Sequence, residues 1–106
     1  MDKFVVILKE KRTGELDANL LNLHIEHLRH LSREGKLMIA GPFKNNEQGM
    51  LILNCEDIEE AISLVESDPF IKEKYYNTYE IYELIVANEE NKWLMDNPQT
   101  TGNLVH

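Results

Sequence analysis

His24, His27 and His30 sit on one short stretch of chain, and an imidazole is the side chain that most readily trades a proton near neutral pH. On a helical wheel at about 100° per residue, His24 falls in the middle of the apolar stripe made by Leu20, Leu21, Leu28 and Leu31. His27 lies at the edge of that stripe, and His30 faces outward. Position alone fits a core histidine held by a hydrogen bond, which is the plainer reading. It also fits an imidazole that lines an internal cleft and acts as acid or base. A shared metal ion is not expected, because His30 stands about 120° from His24 and neither an HExxH motif nor a nearby cysteine completes a site.

Asp68 precedes Pro69, the pattern of a helix cap followed by a first residue with no N–H to waste. Its carboxylate could also face His24, orient the ring and favour its protonated form; two oxygens leave room for both roles. Gly41-Pro42-Phe43 marks a strand exit, or a place where a ligand approaches the backbone with Phe43 and Phe70 as apolar walls. Tyr75, Tyr76, Tyr79 and Tyr82 could supply a phenol, but their clustering near a strand reads first as core and interface filler. Cys55 reads as a small buried apolar side chain.

The elements that must position these groups are legible from period and punctuation. Phe4-Val5-Val6-Ile7-Leu8 is an unbroken apolar run and predicts a strand buried on both faces. Residues 17–34 predict a helix, and Gly35 sits where a left-handed stop belongs. Leu37-Met38-Ile39-Ala40 and Met50-Leu51-Ile52-Leu53 predict two strands joined as a hairpin by a polar turn. Asp57 and Glu60 have capping-box spacing, and Ile58, Ala61, Ile62 and Val65 follow at helical intervals. A short helix opens at Asp68-Pro69, and residues 79–86 form the last strand. The order is βαββαβ, the ferredoxin-like pattern of an α+β fold: a four-stranded antiparallel sheet with its helices on one face. Since the strands are apolar on both faces, the uncovered side calls for a partner, most simply a homodimer packed sheet to sheet. Residues 1–87 make the domain. Residues 88–106 read as an extension with a docking point at Trp93-Leu94-Met95.

Composition narrows the partners. The 106 residues carry 11 basic and 19 acidic side chains, a formal charge of −8, and only 3 of the bases lie beyond residue 55. Phosphate backbones and anionic lipid should repel such a chain, so neither nucleic acid nor a membrane surface is expected. The single cysteine allows no internal disulfide and fits a reducing cytoplasm, and Met1-Asp2-Lys3 opens no signal peptide. No glycine-rich phosphate loop or nucleophile elbow is present.

The run His24-x-x-His27-Leu28-x-x-Leu31-x-x-x-Gly35-Lys36-Leu37, then Ala40-Gly41-Pro42-Phe43, Ser67-Asp68-Pro69-Phe70 and Tyr79-Glu80-Ile81, resembles the YCII-related (YciI-like) family over roughly residues 3–86. The resemblance implies a dimeric α+β barrel, in a wider group with muconolactone isomerases and small cofactor-free oxygenases. It implies a His–Asp dyad, with the family histidine on His24 and not His27, and the family aspartate on Asp68. It further implies isomerase-like or dehydrochlorinase-like chemistry on small intermediates of aromatic degradation. On this reading the chain is a small enzyme for acid–base chemistry without metal or organic cofactor. The other reading is a module that binds a small molecule, or only dimerises, without turnover. The stretch after Val86 exceeds the family pattern, and could cap the cleft or lengthen a dimer contact.

Overall fold

The computed structural model describes residues 1–96. Its elements run β1 (Asp2–Lys11), α1 (Ala18–Arg33), β2 (Leu37–Pro42), β3 (Gly49–Cys55), α2 (Ile58–Glu66), α3 (Pro69–Lys72) and β4 (Tyr76–Leu84). The four strands form one antiparallel sheet in the order β2-β3-β1-β4. This is the expected ferredoxin-like α+β architecture, with the anticipated short helix as a third helix. Among the described residues, no helix is long and apolar enough to cross a membrane.

Strand alternation separates two faces. Phe4, Val6 and Leu8 of β1 and Leu51, Leu53 and Cys55 of β3 are buried with Leu20, Leu31, Ala61, Val65 and Phe70 of the helices. Burial pushes the Cys55 thiol up to about 11, with nearby Glu60 adding to the shift, so this sulfur stays an unreactive core group. The other face carries Val5, Ile7 and Ile52, half-buried, beside Ile39, Tyr82 and Leu84, which are exposed. The first strand is therefore buried on one face only within the chain. The helices cover a single side, and Val5 and Ile7 lie on the other.

Helix ends follow local chemistry. Asp17 caps α1 by accepting from the Asn19 N–H at 3.3 Å. At the other end Gly35 adopts φ +73°, which lets its own N–H reach Ser32 O and the Lys36 N–H reach Leu31 O at 2.9 Å. For α2, Asp57 accepts from the Glu60 N–H at 2.8 Å, while the Glu60 carboxylate accepts from the Glu56 N–H, one residue before the usual partner. Ile58 and Ile62 are more exposed than their spacing predicts; the helix buries Ala61 and Val65 and turns the two isoleucines toward the rim. At the expected docking point after β4, Trp93 and Met95 are exposed within the single chain and Leu94 is half-buried. The rest of the expected extension, residues 97–106, lies outside the described residues.

Candidate functional site

The cap geometry of α3 and the stripe of α1 meet at one side-chain pair. Asp68 takes the extended backbone of an N-cap, and its Oδ1 accepts from the Phe70 N–H at 2.9 Å. The same Oδ1 lies 2.8 Å from Nδ1 of His24. A carboxylate has no proton to give, so the imidazole donates, and in the neutral ring this puts hydrogen on Nδ1 and leaves the Nε2 lone pair free. Asp68 thus caps α3 and faces His24 at once, with both contacts on one oxygen and not shared between two. Asp68 is fully buried, and its Oδ2 has no hydrogen-bond partner among the described residues.

Packing fixes the ring as firmly as the hydrogen bond does. The His24 imidazole stacks on Phe70 with centroids 3.7 Å apart and planes 6° from parallel. Its side chain keeps 11% exposure, and that exposed part lines a cavity. The cavity has a volume of about 220 Å³ and is enclosed by α1, α3 and the ends of β2, β3 and β1. Its walls are mostly apolar, from Leu8, Leu28, Leu51 and Phe70 among others, with Gly41 and Pro42 at the rim.

Of the residues singled out in the sequence, His24, Gly41, Pro42 and Phe70 line this cavity, and Asp68 stands directly behind His24. Phe43 does not. Its N–H closes the β2–β3 hairpin on Gln48 O at 2.9 Å, which takes the side chain away from the wall and leaves it 38% exposed. Leu21 belongs to the stripe but sits at the mouth, exposed rather than buried. Asn46 and Gly49 line the cavity without a motif to announce them, and so do Tyr75 and Tyr76, two of the four tyrosines that could supply a phenol but read first as filler. The signal that could have found the tyrosines is the four-residue helix after Asp68, which returns the chain to the cavity within one turn.

The two neighbouring histidines differ in setting. His30 is on the surface, 3.7 Å from Glu34. His27 donates from Nε2 to the Leu64 carbonyl at 3.2 Å, which ties α1 to α2. Burial drives the His27 pKa below the ordinary 6.5, outweighing the opposing pull of Asp68 and the Leu64 carbonyl.

A hydrogen-bonded His–Asp pair opening onto a small apolar cavity, set on a ferredoxin-like sheet, is the class that fold and site define. The model of the YCII-related domain matches residues 3–85, and the chain belongs to that family. No curated protein matches the sequence significantly. Among solved structures it is similar to the 5-chloro-2-hydroxyhydroquinone dehydrochlorinase TftG of Burkholderia phenoliruptrix AC1100, in complex with 2,5-dihydroxybenzoquinone. That likeness has 23% identity and a TM-score of 0.64, over 84% of this chain and 99% of the other.

The depressed His27 pKa has a consequence for stability. An unfolded imidazole takes its proton near pH 6.5, while the folded ring refuses it until lower pH. The stability that a neutral His27 supports is thus present above 6.5 and is lost as pH falls through the folded value. Urea unfolding of wild type and His27→Gln should give curves that run parallel above pH 7 and converge as the pH is lowered. Curves parallel throughout the range would contradict this.

Proposed function

We propose that the chain is a small enzyme of acid–base chemistry, isomerase-like or lyase-like, acting on a compact ring-shaped metabolite of the kind met in aromatic degradation. The observation that carries the reading is the Nδ1–H to Asp68 bond on a ring whose other nitrogen remains free beside a cavity. Nε2 removes a proton from an O–H or C–H group of the ligand, and the imidazolium so formed gains from the buried carboxylate behind it. Returning that proton to a different ligand atom completes an isomerisation. Where an adjacent carbon bears a leaving group, its departure with the bonding electron pair completes an elimination. Asp68 is a positioning residue here: it selects the tautomer and resists rotation of the ring.

The chemistry named for the similar dehydrochlorinase, loss of HCl from a hydroxylated chloroarene, is of this second kind and supports the choice. The cavity supports it too. An apolar space of about 150 Å³ takes a benzene ring, so about 220 Å³ suits one ring with a few substituents. No metal or organic cofactor is needed for either proton step. A cytoplasmic setting suits a chain whose one thiol is buried in the core.

With 5-chloro-2-hydroxyhydroquinone under anaerobic conditions in deuterated buffer, NMR reads chloride loss and ring deuteration together. Wild type should accelerate at least one of these, and His24→Gln should slow it by about 100-fold or more. Asp68→Asn should cost less, at least about tenfold, by releasing the ring. Undiminished turnover in His24→Gln would remove His24 as the acid–base group, and no acceleration by wild type would leave the chain a binding or dimerisation module.

The second part of the proposal is a homodimer packed sheet to sheet. Its support is the face bearing Val5, Ile7, Ile39, Ile52, Tyr82 and Leu84, which no helix of the chain covers. Sedimentation at micromolar concentration should give twice the 12.4 kDa chain mass, and Ile52→Glu should return it to one chain. A wild-type species of 12.4 kDa would count against the dimer.

A further inference from the structure

Tyr76 opens β4 and is only 4% exposed, with its ring edge-on to Tyr75 at 5.1 Å and to Phe70 at 6.0 Å. The ring is core, but the hydroxyl runs to the start of β3. There a Cβ on Gly49 would stand 3.2 Å from the Tyr76 oxygen and 3.4 Å from the Gly41 carbonyl oxygen. Gly49 does not occupy the left-handed region, so its value at this position is space and not backbone freedom. Tyr76, Gly49 and Gly41 line the same cavity as His24, the first three on the sheet side and His24 on the helix side.

A buried phenol ordinarily finds a hydrogen-bond partner. Tyr79 does, donating to Glu66 at 2.9 Å, whereas Tyr76 lines the cavity, where a ligand atom can accept from its hydroxyl. Burial, then the nearby Tyr75 and Asp68, raise the Tyr76 pKa above the ordinary 10, which keeps the hydroxyl a proton-bearing donor. The cavity lining also contains no Lys, Arg, Asp or Glu. Lys11, on the Asn46 carbonyl, and Arg12, 5.7 Å over the Tyr75 ring, stand behind lining residues, so the wall itself offers an anion no cationic side chain, and the Asp68 carboxylate lies close behind His24.

We propose that Tyr76 is a ligand-binding residue whose hydroxyl, given room by Gly49, donates a hydrogen bond to the oxygen of an uncharged phenolic or quinone ring, while His24 faces the atom that loses the proton. The inference rests on the cavity being the ligand site, and it deepens the functional reading by assigning a class of ligand and a point of recognition. A ring without an oxygen leaves the hydroxyl unsatisfied, so the site discriminates by the donor it would strand.

Phenol and toluene test this directly, since they share the ring and differ in the oxygen. Titrated into protein labelled at tyrosine Cζ, phenol should move the Tyr76 resonance and toluene should not. Tyr76→Phe should weaken phenol binding by about fivefold and leave toluene within twofold. Gly49→Ala, which crowds the hydroxyl without removing it, should also weaken phenol selectively. If the Tyr76 resonance ignores phenol, if both probes weaken equally in Tyr76→Phe, or if wild type binds neither, the proposal is overturned. These readouts are independent of turnover. Selective phenol binding in a protein that fails the chloride and deuteration assay would uphold Tyr76 recognition while removing the acid–base reading of His24.

Discussion

A carboxylate with no exposure to water is costly unless donors meet it, and at Asp68 two donors converge on Oδ1 while Oδ2 has no partner among the described residues. One oxygen receives the Phe70 N–H and the His24 Nδ1–H together, 2.9 and 2.8 Å away. The first contact starts α3, the second locks α1 to it, and Phe70 covers the face of the ring that Asp68 holds by its edge. Three consecutive residues, Asp68, Pro69 and Phe70, therefore do structural and positional work in one turn. The capping role and the ring-orienting role do not compete, because both use the same acceptor. Removing the carboxylate would cost the helix its cap and the imidazole its fixed tautomer at the same moment.

The sheet sets the stage for this pair by having two unequal faces. Helices cover Phe4, Val6, Leu51 and Leu53, and the cavity is the gap they leave near the ends of the strands. The opposite face has an apolar centre in Val5, Ile7, Ile52 and Tyr82, bordered by Lys3, Asn54 and the Lys9–Glu80 ion pair, and no helix of the chain covers it. The gap beside His24 is lined mostly by apolar walls, and their low polarity strengthens the His–Asp interaction.

Much of this was legible in the sequence because it depends on local rules. Asp17, Gly35, Asp57 and Asp68 each end or start a helix by hydrogen bonds within a few residues, so spacing alone reveals them. His24 was legible from its place in a stripe of leucines, and its link with Asp68 from the family pattern, although the two are 44 residues apart. The placement of Phe43 was not legible. It follows a glycine and a proline that do line the cavity, but the hairpin bond to Gln48 turns the chain there, and a one-residue change of direction leaves no mark on composition. The meeting of Gly49 with the Tyr76 hydroxyl was hidden for a different reason. It joins distant strands through space, and only packing brings the hydroxyl to within 3.2 Å of where a Gly49 Cβ would stand. Trp93 suggests docking by its large aromatic side chain, and within the single chain it stays exposed.

The central claim is that Asp68 fixes the proton of the His24 ring. Nitrogen-15 NMR of histidine-labelled protein, recorded at a pH where the ring is neutral, reports which ring nitrogen carries hydrogen. The account predicts a protonated Nδ1 and a bare Nε2 for His24, with the Nδ1 proton lost from its hydrogen-bonded position in Asp68→Asn. A ring protonated on Nε2 in wild type would contradict it, because the buried carboxylate would then have no imidazole donor and the cavity no base.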